Sequence, residues 1–226
     1  MIDLINVTRF HGPTNAPSFL LNDVSLRISP MERIGILAHS GAGKSTFARI
    51  ISGVEKPDIG FVDRRCNLSW PIGFSSAFHP NLSPNSNIKL IAKLRNLDPD
   101  ELALSVEDFS ELGAAFYKPT SSLAPGKRVQ LALALSLNTE FDMYLADDMS
   151  ASTNPAFREK CDAALLDKLK SSGLIMFTRH PRTLDHFANR YFVLFDASLI
   201  ECGTTEEASD ILKITSNEDL SHHAVA

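Results

Sequence analysis

The chain has 226 residues, enough for one large domain or for one domain with a small inserted lobe. Hydrophobic residues make up 44% and charged residues 22%, which is ordinary for a soluble globular protein that buries a core. The 27 acidic residues outnumber the 22 basic ones, leaving a formal charge of −5, and no basic run offsets it; this argues against a nucleic-acid-binding face, which needs a basic excess.

The start of the chain alternates, with Ile2, Leu4 and Val7 on one side of a strand, and Phe19–Ile28 forms a second strand-like run. Between them HGPTNAPS is a turn-rich loop. MIDLINVTRF has no charged head followed by an apolar core, so it is not expected to act as a secretory signal. RIGILA, 33–38, reads as a buried strand, followed by a glycine-rich loop and a helix from about Lys44 to Ser52 that Gly53 and Pro57 end. Further strands are expected at Gly60–Asp63 and Leu68–Phe74.

From about Pro80 to Pro125 the pattern changes. NIKLIAKLR and PDELALSVEDFSELGAAF carry apolar residues at helical spacing, as a helical lobe inserted into an α/β body would. Alternation then resumes: helix over Arg128–Leu137, strand Phe141–Ala146, helix Pro155–Lys170, strand Leu174–Thr178 and helix Arg182–Ala188. Strands at Tyr191–Leu194 and Leu199–Glu201 and a helix at Glu206–Ile214 complete the body, and the polar tail SNEDLSHHAVA is expected to fray. Strands alternating with helices imply a mainly parallel sheet covered on both faces. The expected layout is one α/β domain over 1–214, with an antiparallel β part at its N-terminus, a helical lobe at about 80–138 and a tail at 215–226. No apolar run approaches the roughly 20 residues of a membrane span. Cys66, Cys161 and Cys202 are widely spaced with no CxxC pair, so reduced thiols are expected.

The strongest local signal is AHSGAGKST, Ala38–Thr46, which nearly fits G-x-x-x-x-G-K-[ST] between a strand and a helix. Gly41 and Gly43 let the backbone of Ser40–Thr46 curl, through Ala42, so that successive N–H groups point at a phosphate. The helix N-terminus adds partial positive charge. Lys44 can reach the β- and γ-phosphates of ATP, and the Ser45 hydroxyl can ligate Mg²⁺. Ala38 stands at the first glycine, where fewer backbone conformations are open, so a slightly altered loop is expected. FDMYLADD, 141–148, reads as a buried strand ending in Asp147, placed to hold Mg²⁺, with Asp148 where a base polarises the attacking water.

Together these residues resemble the ATP-binding subunits of ABC transporters over nearly the whole chain, and within them the capsular and O-antigen polysaccharide exporters. The matching words are NLSWPIGF, SAFHPNLSPNSNIKLIAKL, LALALSLNTEFDMYLADD and FREKC. The resemblance implies the P-loop ATP-binding fold, ATP and Mg²⁺ as cofactors, a separate membrane permease, and a second ATP-binding subunit in a homodimer or heterodimer. It implies a peripheral place on the cytoplasmic face of the inner membrane. It also implies an adenine-stacking role for Phe10, with Phe19 as a rival, and a sensor role for His79 in place of glutamine. His180 stands where the family has its switch histidine, and LAPGK, 123–127, where it has the signature that closes over ATP of the opposite subunit. The lobe from Phe78 to Pro125 would receive a cytoplasmic helix of the permease.

Several positions depart from that family. The signature serine is Ala124 and the next glycine is Pro125, which has no N–H, while Gly126 and the helix dipole remain. Asp148 is one methylene shorter than the family's glutamate, and a base displaced by about 1 Å can lower rate on the order of 10²-fold. Asn154 replaces an aspartate. The leading expectation is a motor ATPase for polysaccharide or glycolipid export. The alternative is a nucleotide-binding pseudo-ATPase with a regulatory or structural role.

Overall fold

The structure is a computed structural model that describes residues 1–12, 18–147 and 154–222. The chain divides into two compact units.

The first unit holds Met1–Pro71, the strand Met143–Asp147 and the chain from Ser171 onward. Its small sheet pairs β1 (Ile2–His11) antiparallel with β2 (Ser18–Ile28) on one side and with β4 (Ile59–Arg64) on the other. Its larger sheet runs in the order β5-β6-β7-β3-β8-β9. Those strands are β3 (Arg33–Leu37), β5 (Leu68–Ile72), β6 (Met143–Asp147), β7 (Gly173–Thr178), β8 (Arg190–Phe195) and β9 (Ser198–Cys202). β6, β7, β3 and β8 are parallel, and β9 returns antiparallel.

The all-buried pattern of β7 is what a central parallel strand needs, since helices cover both of its faces. Helices α1 (Lys44–Ser52), α6 (Pro181–Phe187) and α7 (Thr205–His222) belong to this unit. One core spans both sheets: Ile2, Val7, Leu21 and Ile28 from the small sheet join Ile36, Leu145, Ile175 and Phe177 from the large one, with Phe47 and Ile50 from α1. The Phe47 ring meets Phe177 edge-on at 5.4 Å.

The second unit takes in Ile72–Phe141 and α5 (Pro155–Lys168). Its other helices are α2 (Pro84–Leu94), α3 (Pro99–Ser110) and α4 (Pro125–Leu137). Each starts with proline in its first turn, where a missing N–H does no harm. Asp98 caps α3 by accepting from the Asp100 and Glu101 amides, both at 2.9 Å. Every residue of α4 from Gln130 to Leu137 is buried. Lys160 of α5 donates to the Phe109 carbonyl at 3.0 Å and to Glu111 at 2.7 Å. Burial pushes the Cys161 thiol up to about 12, so it stays protonated.

Apart from small shifts of element ends, two expectations from periodicity differ from the structure. The helix expected over 99–116 stops at Ser110, because Glu111 turns left-handed (φ 53°) and Gly113 does the same before a short 3₁₀ turn, Gly113–Tyr117. At the other end α7 runs on to His222 rather than ending near Ile214. No glycine or proline interrupts 205–222, and extending a helix already nucleated is easy.

Candidate nucleotide-binding site

The glycine-rich loop leaves the tip of β3. Ala38 is buried, and its N–H donates to the Thr178 carbonyl at 3.1 Å. It is not among the residues with positive φ, so alanine fits this position without strain. Gly41 (φ 84°) and Gly43 (φ 89°) do take the left-handed conformation. Gly43 is the N-cap of α1, and its carbonyl accepts the Phe47 amide at 2.8 Å, which closes the first turn. Ala42 turns back through its N–H to the His39 carbonyl at 3.4 Å. No acidic residue lies in the first turn of α1 to oppose an anion. The Lys44 Nζ donates to the carbonyls of Ala38 (3.1 Å) and His39 (2.6 Å). Ser40 and Ser45 are exposed, and Thr46 Oγ1 accepts from Arg49 at 3.1 Å.

A hollow of about 310 Å³ opens over this loop, lined by Gly41, Gly43, Lys44, Ser45 and Thr46 together with His11 and Leu20. His11 and Leu20 were not singled out in the sequence. Their place depends on β1 pairing with β2 and on a register shift between Arg9 and Phe10, which single-strand periodicity does not reveal. Phe10 and Phe19 lie directly opposite each other on the two strands, with ring centroids 5.0 Å apart and planes tilted by 43°. The two aromatic candidates therefore form a single cross-strand pair. The Phe10 N–H donates to Asp58 at 2.8 Å, which pins this end of the sheet.

Strand register brings the remaining first-unit residues to the same sheet edge. Leu37 pairs with Thr178, and Asp147 pairs with Phe177, so the tips of β3, β7 and β6 end side by side. Asp147 is half-buried at its tip. His180 is exposed at the N-cap of α6, and its N–H donates to Thr178 Oγ1 at 3.1 Å. The edge where parallel strands end is where open α/β sheets bind ligands. Ser45 and Asp147 offer a hydroxyl and a carboxylate, hard oxygen donors that fit Mg²⁺. Among the described residues no cluster of three or more His, Cys, Asp or Glu forms another metal site. Asp148 lies outside the described residues.

His79 and the LAPGK segment belong to the second unit. His79 is exposed; its N–H donates to Asn87 Oδ1 at 2.8 Å, and its Nδ1 accepts from the Asn81 N–H at 3.3 Å. Ala124 is the N-cap of α4 and supplies no side-chain cap. The Lys127 and Arg128 amides turn back to its carbonyl at 2.9 and 3.1 Å, and Gly126 sits between the donor-less Pro125 and these turned-in groups. Asn154 caps α5 by accepting the Phe157 N–H at 2.8 Å.

A parallel sheet whose first central strand runs through a phosphate loop into a helix defines the class of P-loop nucleotide-binding proteins. The family model described as ABC transporter matches residues 21–151. The ATP-binding protein BexA of Haemophilus influenzae is 36% identical over 194 residues, 86% of this chain and 89% of BexA. The capsule polysaccharide export ATP-binding protein CtrD of Neisseria meningitidis serogroup B is also 36% identical, over 86% of this chain and 90% of CtrD. Among solved structures, the ATP-binding cassette MJ0796 in a dimeric post-hydrolysis state bound to ADP and Pi superimposes with a TM-score of 0.73 at 23% identity. That match covers 88% of this chain and 96% of the cassette. The chain belongs to the ABC transporter family. Among its described residues no helix is long and apolar enough to cross a membrane.

Proposed function

We propose that this chain is the ATP-binding and ATP-hydrolysing subunit of an exporter of polysaccharide or glycolipid, working at the cytoplasmic face of the inner membrane with a separate permease. The observation that carries this reading is the curled loop Ser40–Thr46 at the tip of β3, beside the tips of β6 and β7 that bear Asp147 and lead to His180. The name of CtrD, a capsule polysaccharide export protein, supplies the cargo class by likeness.

In this reading the amides of 41–45 hold the triphosphate, and Lys44 exchanges its two carbonyl partners for β- and γ-phosphate oxygens. Ser45 and Asp147 would hold Mg²⁺, which neutralises developing phosphate charge when bound. His180 orients water at the γ-phosphate, and Asp148 serves as its base. Phe10, paired with Phe19, presents an aromatic face to adenine. His79 senses nucleotide, and Ala124 and Gly126 meet ATP held by a second subunit. The chain works as a single ATP-binding domain over 1–214, with the lobe at about 80–138 inserted and 215–226 as its tail.

The departures set the rate. A homodimer carries Asp148 and the Ala124–Pro125 pair at both of its sites, so slow turnover is expected. A heterodimer with an intact partner would carry only one defect per site. The test is Mg²⁺-ATP binding and phosphate release by the purified chain, with Lys44→Ala as background. Binding with slow Lys44-dependent release is the expected result. Brisk release would overturn the slow-enzyme reading, and no binding at all would overturn the nucleotide site. A pseudo-ATPase is favoured specifically by Pro125, which removes an amide from the signature; it predicts binding with release no faster than Lys44→Ala.

A further inference from the structure

Asn87 lies in the first turns of α2 with only 2% of its surface exposed. Asparagine is a weak helix former, and a buried amide is tolerated only when its donors and acceptor are met. Here they are met by two separate stretches of chain. Its Oδ1 accepts from the His79 N–H at 2.8 Å. Its Nδ2 lies 3.1 Å from the His79 carbonyl and 3.2 Å from the carbonyls of Leu82 and Ser83. The same Nδ2 lies 3.1 Å from Thr120 Oγ1, across 33 positions of sequence.

Thr120 completes the link. It is buried, its hydroxyl donates to the Leu82 carbonyl at 2.7 Å and its N–H to the same carbonyl at 2.8 Å. The Ser121 N–H donates to the Pro80 carbonyl at 2.9 Å. Thr120–Ser122 is a 3₁₀ turn that leads directly into Leu123 and the N-cap Ala124 of α4. The turn 79–83 and the approach to the signature segment are thus stitched together, with one buried amide at the centre.

We propose that Asn87 is a positioning residue for the nucleotide cycle. Its amide makes the His79 turn and the segment 120–127 one body, so that displacement at His79 is delivered to the residues that meet ATP of a second subunit. This rests on the roles given above to His79 and to Ala124 and Gly126. A buried, fully partnered polar network suits such a link because it has one well-defined geometry and resists partial distortion.

The test is amide hydrogen exchange on the full-length chain, with and without Mg²⁺ and a non-hydrolysable ATP analogue, alongside turnover. Thr120→Val removes the hydroxyl and keeps the side-chain shape, and Thr120→Ser restores it. Asn87→Asp keeps the acceptor for His79 and loses both donors, giving a second route to the same readout. In the unaltered chain the analogue should slow exchange at 79–82 and 120–123 together. In Thr120→Val and Asn87→Asp the slowing should persist at 79–82 and vanish at 120–123. Turnover should fall about tenfold with KM little changed, and Thr120→Ser should recover it. A purely structural role would lower the melting temperature without separating the two segments. Undiminished slowing at 120–123 in both variants would overturn the proposal. Failure of the unaltered chain to bind the analogue is a different result: it removes the nucleotide site itself, and this inference with it.

Discussion

The chain passes from loop to helix at Gly43 into α1 and at Ala124 into α4, and the two junctions show what a helix start needs in order to hold an anion. At the first, two glycines with positive φ curl the loop, no acidic residue opposes it, and a lysine stands at the head of the helix. At the second, the N-cap residue has φ −58° and ψ 151°, supplies no side-chain oxygen, and is followed by proline. Both helices offer the same dipole. What differs is the residues around it: positive-φ glycines, a lysine and hydroxyls at the first, an alanine N-cap and a proline without an N–H at the second. A helix dipole is common to every helix, so it is the donors around it that distinguish a phosphate grip from an ordinary helix start.

The largest effect should come from spoiling the intact junction. Gly41→Ala with Gly43→Ala forces two L-residues into the left-handed region, at about 1–2 kcal/mol each. Space is not the obstacle at 41, where an added Cβ meets nothing within 4 Å, so the strain is purely conformational there. A loop that relaxes out of this curl without ligand must take up the strain on binding, so Mg²⁺-ATP affinity should drop on the order of 10²-fold, read by titration, with the melting temperature of the nucleotide-free chain changed far less. Equal losses in affinity and in stability would mean that the loop's curl serves the fold rather than the ligand.

Rebuilding the second junction should have a smaller effect of opposite sign. Ala124→Ser with Pro125→Gly restores one hydroxyl and one amide, and a hydrogen bond to a charged group contributes about 1.5–3 kcal/mol. Turnover at saturating Mg²⁺-ATP should rise at least about tenfold, with affinity for the isolated subunit unchanged, if the segment serves ATP on another subunit as proposed above. No rise would place the slow step elsewhere, with Asp148 the next candidate.

The contrast between these junctions also marks how far the residues could be understood before the fold was known. The phosphate loop was legible because its requirement is local: a strand followed at once by two glycines, a lysine and a hydroxyl within nine consecutive residues. The end of β6 at Asp147 was legible because an apolar run stops at a charge. The comparisons and the sheet agree with the expected fold class, a mainly parallel α/β core with an antiparallel part at the N-terminus. What stayed hidden was non-local. His11 and Leu20 reach the hollow only because β1 and β2 pair with a shift. Asn87 looked like an ordinary polar residue in an amphipathic helix until Thr120 was brought beside it. Glu111 ended α3 by adopting a conformation that helical periodicity does not encode.

Asn154 tests whether every departure from the family weakens the protein. Unlike Ala124 and Pro125, it replaces one good N-cap with another, and its Oδ1 accepts the Phe157 amide at 2.8 Å. Phe157 is buried and its ring packs edge-on against Phe109 at 5.8 Å, so the start of α5 is tied into the helical unit. Asn154→Ala should therefore lower stability by about 1 kcal/mol, seen as a shifted denaturant midpoint with unchanged slope. Asn154→Asp keeps the cap and adds a negative charge at a helix N-terminus, so it should match or slightly exceed the unaltered chain. If both variants melt alike, the cap contributes no stability. If only the alanine variant weakens, a side-chain cap of the kind absent at α4 stabilises the start of α5.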